Sequence, residues 1–361
     1  FETFGKFNIG ITAGIETNAV SQKWLEGCNR MNLIIVPSNH SKSGFIDTVY
    51  DKMQDNPDGS KAKVGQLSLQ KPIEVLFEGI NLNTYKPLKV NEIDKSFLNM
   101  INKNVNDKHA FLFVGQWCKG GFGEDRKDIS KLIKVFCETF ANKKQQPSLI
   151  LKTSGATFSL IDKKECIHKI QRIKEGFPKD WKLPNIYLLH GDLTDEEMNL
   201  LYNHPKIKCM VSFTHGEGFG RPLLEASMVG LPIVCSNWSG HIDFLNPELC
   251  LLVAGKLETV PKSAVWEDII ISESQWFVID EHMATSALTY VFDNLNDVKE
   301  KAKKLMRINR EKYSLKRMGE DLLKIIENNE SSETKLKLPK LKKIVNQETP
   351  PKIKLPKPKK I

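Results

Sequence analysis

The sequence has no long apolar run. Its longest stretches, such as Leu33–Val36, are far too short to cross a bilayer, so no transmembrane helix is expected. It opens on Phe1 rather than Met, and no charged segment leads into an apolar one. We expect no signal peptide, and either a start that has been removed or a sequence that is a fragment. Cysteine is present without pattern. Cys28, Cys118, Cys137, Cys166, Cys209, Cys235 and Cys250 make an odd set with no Cys-x-x-Cys pair. That argues against a zinc site and a disulfide framework, and for a reducing, cytoplasmic compartment. No solenoid-length repeat is visible, and no RRM, KH or zinc-finger pattern supports nucleic-acid binding. The main body also lacks an excess of charge. Of the net +9, nearly all sits in residues 331–361, which hold ten Lys against two Glu.

What is present is an alternation of short β-branched runs with helical patterns. Residues 7–12, 33–36 and 73–77 read as strands, residues 17–31 as a helix, and a further helix runs from Ser38 or Ser41 to Met53. Residues 54–71 are polar and Gly- and Lys-rich, and read as a loop. A second series has strands at 110–114, 148–152, 186–189, 209–213, 232–235 and 251–253, with helices near 128–141, 162–175, 194–203 and 221–229. Such alternation predicts a parallel sheet covered on both faces. From Glu281 to about Asn328 the pattern is helical. The first series has only three strands, so we expect an incomplete sheet with an open edge or face. The divisions expected are 1–106, 107–280, 281–330 and a Lys/Pro-rich tail at 331–361. That tail holds five prolines and too little apolar surface to order itself.

The stretch from Val211 to Glu225 carries the chemistry. A strand ends at Phe213, a Gly-rich turn follows, and Pro222 stands in a new first helical turn. Gly218 and Gly220 let backbone N–H groups approach a ligand, and the helix N-terminus favours phosphate. Glu217 and Glu225 flank that anion site. Carboxylates there suit hydroxyl groups, a sugar on one side and a ribose diol on the other, each bond contributing ~1.5–3 kcal/mol. The plain alternative is an ordinary strand–turn–helix junction with an exposed Glu217.

The run Glu217-Gly-Phe-Gly-Arg-Pro-Leu-Leu-Glu225 resembles the E-x7-E signature of family 4 glycosyltransferases, which have the GT-B fold of two facing Rossmann-like domains. Other segments agree in order: Phe113–Trp117, Asp125–Lys127, Leu132–Phe136, Leu200–Tyr202, Gly230–Val234 and Gly240 in the donor half, and Glu16–Asn18, Trp24–Asn29, Val36–His40 and Glu78–Asn81 before it. The resemblance covers roughly residues 7–328. It implies transfer of a sugar from a nucleotide-sugar donor to an acceptor hydroxyl, with retention at the anomeric carbon. The acceptor would be a glycan, lipid or protein. An inactive glycosyltransferase-like module is the alternative.

By the same resemblance Glu217 is the catalytic residue, holding hydroxyls of the transferred sugar. Gly218, Phe219 and Gly220 would offer backbone N–H groups to sugar and phosphate, Glu225 would bind the ribose, and Lys127 the pyrophosphate. Gln116 departs from the pattern, standing where the family often has Arg; Arg126 would restore the charge. Without the resemblance, Arg126 and Lys127 read rather as a solvated pair before a helix. Lys152, at a strand end, meets the donor or snorkels. Gly191, after His190, lies where the family's base-binding loop falls. Glu16 is either a cleft residue or a charge at a helix start. His215 reads as structural. No cofactor or metal is expected, since no D-x-D motif occupies a suitable strand–loop setting. The tail is expected at most to make a weak, peripheral contact with an anionic membrane.

Overall fold

The structure is a computed structural model that describes residues 1–57 and 59–329. The Lys/Pro-rich tail expected at 331–361, with its membrane contact, lies outside the described residues.

The first part runs β1 (Ile9–Ile11), α1 (Gln22–Asn29), β2 (Leu33–Val36), α2 (Asn39–Asp47), β3 (Tyr50–Asp55), β4 (Lys61–Leu67) and β5 (Ile73–Val75). β1, β2 and β5 pair in parallel, with Ile9 opposite Leu33 and Ile34 opposite Ile73. Strand β2 is buried throughout, and its side chains alternate between two layers. Ile34 and Val36 pack with Leu25 and Cys28 of α1 and Phe45 of α2, while Leu33 and Ile35 face the other side.

Three expectations fail here. The first helix begins at Gln22 and not at residue 17, because Ser21, its N-cap, is still extended. The second helix ends at Asp47, not Met53, because Thr48 turns extended and donates its hydroxyl to the Gly44 carbonyl (2.6 Å). Part of the expected loop at 54–71 is strand, since β3 and β4 form an antiparallel hairpin. Polar residues occupy both its faces, so no apolar alternation announces it. A Lys63–Asp51 pair (2.6 Å) crosses the hairpin, and the Tyr50 hydroxyl ties it to the Val20 carbonyl (2.7 Å).

The second part follows with α3 (Lys95–Asn104), β6 (Ala110–Val114), α4 (Ile129–Phe140), β7 (Ser148–Lys152), α5 (Leu160–Glu175), β8 (Ile186–Leu189), α6 (Asp195–Tyr202), β9 (Ile207–Ser212), α7 (Arg221–Met228), β10 (Ile233–Ser236) and β11 (Leu251–Val253). The six strands are parallel in the order β11-β10-β9-β6-β7-β8. The chain winds outward from β6 in one direction and then from β9 in the other. The crevice between the C-terminal ends of β6 and β9 is therefore the topological switch point, where open α/β sheets bind ligands. Helix α4 buries Leu132, Ile133, Phe136 and Phe140 on one face of the sheet. Met198 and Leu201 of α6 and Leu223 and Leu224 of α7 pack on the other.

A hairpin of β12 (Gly255–Thr259) and β13 (Gln275–Ile279) leads to α8 (Glu281–Asp293), α9 (Leu295–Lys312) and α10 (Leu315–Asn329). Trp276 of β13 joins the core of the first part, and Met318, Leu322 and Ile325 of α10 cover Leu33 and Ile35. Both faces of the small first sheet are thus covered, α1 and α2 on one side and α10 on the other. Of the open edge or face expected, the edges are there, since β1 and β5 end a three-stranded sheet, while the face is covered by a distant helix that supplies the missing layer. The whole is an α/β fold of two Rossmann-like domains facing across a cleft. Among the described residues, no helix is long and apolar enough to cross a membrane.

Candidate active site at the switch point

The loop after β9 is built for close approach. A Cβ on Gly218 would lie 2.2 Å from the Ala13 carbonyl oxygen, so only glycine lets this loop meet the loop after β1. Gly220 has φ +93° and turns the chain into α7, with Pro222 in its first turn. The Glu217 backbone is pinned on both sides. Its N–H donates to Ser239 Oγ (2.8 Å), and its carbonyl accepts from the Gly240 N–H (2.9 Å). From the facing domain, Ser38 and Ser41 donate their hydroxyls to the Gly218 carbonyl (2.5 and 3.3 Å).

Lys127 arrives from the loop after β6. Its Nζ lies 2.6 Å from Glu217 Oε1, and these side chains are only 10% and 15% exposed. Below them, Asp125 Oδ1 accepts from the Lys127 and Ile129 N–H groups (3.2 and 3.4 Å) and shapes the turn. Burial, with Asp128 beside it, pushes the Asp125 carboxyl up to about 6. Asp128, with φ +47°, is likewise pushed up to about 6 by burial, against the pull of Lys131. Arg126 does not join Lys127. Its Nη1 crosses to Glu16 Oε1 of the first domain (3.0 Å).

Glu225 is buried one turn into α7. Oε1 accepts from Arg221 Nε (2.9 Å) and Oε2 from the Tyr202 hydroxyl (3.1 Å). Burial raises its pKa above the ordinary carboxylate range despite Arg221. Glu78 of the first domain adds a further carboxylate. Burial raises its pKa, Arg221 lowers it and Glu217 raises it, so it belongs to the same field.

A pocket of 380 Å³ opens beside this crevice at the ends of β6 and β7, lined by Gln116, Lys152, Ser154 and Phe158 among others. Lys152 donates to the Gly191 carbonyl (2.7 Å) and lies 5.5 Å from the centre of the Phe158 ring. Burial lowers its pKa. Gln116 spends its amide on the Gly155 carbonyl (2.6 Å). Asp162, on α5, accepts from the Gly155 and Ala156 N–H groups and meets His190 Nε2 at 2.8 Å. Burial pushes its carboxyl up, but these partners outweigh burial and hold it below the usual range. Phe219 is buried against Phe244, which fixes the loop that carries its backbone. His215 is walled in. It stacks on Trp276 at 4.0 Å, Nδ1 lies 2.7 Å from the Phe277 carbonyl, and burial lowers its pKa.

Residues 106–256 match the family model described as Glycosyl transferases group 1. The fold is that of GT-B glycosyltransferases. Sucrose-phosphate synthase from Thermosynechococcus elongatus superposes with a TM-score of 0.57 at 14% identity, over 84% of this chain and 60% of that one. HepE from Anabaena, in complex with UDP and glucose, gives 0.58 at 14% identity, over 89% of this chain and 71% of that one. The α,α-trehalose 6-phosphate synthase from Burkholderia multivorans gives 0.58 at 12% identity, over 89% and 66%. This chain therefore spans about three fifths to seven tenths of the length of these proteins. No protein among the curated ones matches it in sequence.

The structure brings Lys127 to Glu217 and Lys152 to Gly191, and sends Arg126 to Glu16. Sequence reasoning did not single out Tyr202, Arg221, Glu78, Ser38 or Ser41 as site residues. Tyr202, Arg221, Glu78 and Ser38 lie within segments that carry the resemblance, but nothing in the residue types marks the contacts they make.

Proposed function

We propose that this chain transfers a sugar from a nucleotide-sugar donor to an acceptor hydroxyl, with retention of the anomeric configuration. The observation that carries the reading is the buried Lys127–Glu217 pair at the switch point, beside the N-terminus of α7. Lys127 and the helix N-terminus would stabilise the departing diphosphate, and Glu217 would accept hydrogen bonds from the sugar. Glu225 and Tyr202 would hold the ribose. Lys152 and Gly191 would border the donor further along the sheet. Arg126 would serve the phosphates on release from Glu16. The cleft carboxylates Glu16 and Glu217 are each held by a cation, which suits charge stabilisation better than nucleophilic attack. Front-face attack assisted by the donor phosphate is the step we assign to retention. The protein cations would replace a divalent metal.

The similar structures support a donor of this type, since HepE was solved with UDP and with UDP-glucose. The deciding experiment is a panel of nucleotide sugars assayed for binding and for slow donor hydrolysis, with Lys127→Ala as control. Binding and hydrolysis lost in Lys127→Ala would support the reading. Binding without hydrolysis or transfer would favour an inactive module, and no binding at all would overturn the donor assignment.

A further inference from the structure

At the other end of the second sheet, where β9 and β10 begin, a pocket of 490 Å³ lies between the end of α7 and helix α9. Strand β9 has six residues, which puts this pocket roughly 20 Å from the loop that follows it. Its floor is apolar, with Ile207, Leu231 and Met306. Its walls carry Lys208, Lys299, Lys303 and Arg307, and no carboxylate lines it among the described residues.

These cations are poorly compensated. Lys303 pairs with Glu300 on the rim (2.6 Å), and Lys208 donates to the Pro205 carbonyl. Among the described residues, Lys299 and Arg307 form no salt bridge, although the Glu300 carboxylate on the rim feels the Arg307 charge. Burial, and then the Lys299 charge, lowers the Lys208 pKa. His109, just before β6, is pushed down to about 4 by burial, with Lys208 and Lys299 adding to it. Like charges gathered over an apolar floor repel one another, and a bound anion would relieve that repulsion.

The plain alternative is a solvated face of α9, where Lys299, Lys303 and Arg307 recur every four residues. Two facts oppose it. Lys208 comes from a strand and is partly buried, and the cations surround a concave space of ligand size rather than a convex helix surface. The body of the protein is otherwise close to neutral, so this local excess is not a general property of its surface.

We propose that this pocket binds a small phosphorylated molecule, with its phosphate between Lys208, Lys299 and Arg307 and its body against Ile207, Leu231 and Met306. The site lies at the opposite end of the sheet from the cleft, with Tyr202 lining it while sending its hydroxyl to Glu225, and it does not depend on the donor reading.

Calorimetric titration with pyrophosphate tests this on the wild type, on Lys299→Gln/Arg307→Gln and on Lys127→Ala. The double variant should weaken binding at this pocket at least tenfold, and Lys127→Ala should leave that binding in place. Raising the salt should weaken it in the wild type. Arg307→Gln alone, at an exposed position, repeats the test with a smaller expected loss, and circular dichroism checks that each variant is folded. Three results would overturn the proposal: no binding by the wild type, unchanged affinity in the double variant, or loss only in Lys127→Ala. So would an oligonucleotide that binds through the same residues while pyrophosphate does not, which would make this a nucleic-acid face.

Discussion

At the level of single residues, the Lys127–Glu217 pair is a costly arrangement. Desolvating two charges often cancels their attraction, so such a pair is weak evidence for stability. Removing one partner leaves the other buried and uncompensated, at about 3–5 kcal/mol. Glu217→Gln is therefore a cleaner probe than Glu217→Ala. It should lower turnover sharply while nucleotide affinity changes little. Glu225→Ala removes an acceptor proposed for the ribose and should weaken nucleotide binding by about 1.5–3 kcal/mol, roughly tenfold to a hundredfold. Calorimetry with a nucleoside diphosphate and initial rates of transfer separate the two. If the two variants show the same pattern, the division of roles is wrong. Because protein cations are assigned the diphosphate, EDTA should leave the rate unchanged, and loss of activity restored by added metal would contradict that assignment. Spacing singled out Glu217 and Glu225, and the resemblance pointed to Lys127. Neither could reveal Tyr202, Glu78 or the Glu16–Arg126 pair, whose members come from separate elements and meet only through the tertiary fold.

At the level of elements, legibility followed apolar patterning. Strands such as β6 and β9 and helices such as α4 are buried enough to write their period into the sequence. The β3–β4 hairpin is mostly exposed and held by backbone pairing, so it left no such trace. The role of α10 was legible only in outline. Its helical pattern was visible, but its seat on Leu33 and Ile35 depends on a close crossing near residues 79–80. There the Leu315 N–H donates to the Ile80 carbonyl (2.9 Å), and a Cβ on Gly79 would stand 2.7 Å from Leu315 Cα. Backbone on both sides cannot yield as a flexible side chain would. Gly79→Ala should therefore destabilise the protein by about 1–3 kcal/mol, the usual range for overpacking. Chemical denaturation measures it, and wild-type stability in that variant would show that α10 is not locked at this crossing.

At the level of the whole molecule, the two domains are tied by polar contacts across the cleft, while several buried histidines set its response to acid. His40, His109 and His204 are pushed down to about 4, chiefly by burial. Burial also lowers His215 and His241. The first three stay neutral when folded down to about pH 4 but protonate near pH 6.5 when unfolded, and the other two act in the same direction. Between those values the unfolded chain binds more protons, so stability falls as pH falls. Asp125 and Asp128 act the other way. Raised to about 6, they bind protons in the folded state first, so acidification below about 6 stabilises through them. Glu78 and Glu225 share that direction. From pH 7 to about 6 the proton uptake of the unfolded histidines, each worth up to about 1.4 kcal/mol per pH unit, outweighs that of Asp125 and Asp128, which begins in the same window. Below 6 the carboxyls offset part of the loss, but the histidines are more numerous and those with a defined value shift further. The melting temperature should thus fall most steeply just below pH 6.5 and keep falling, more gently, towards pH 4. Calorimetric melting across this range checks the order of events. A melting temperature that stays level or rises between about pH 7 and pH 6 would mean that these histidines are already protonated in the folded protein.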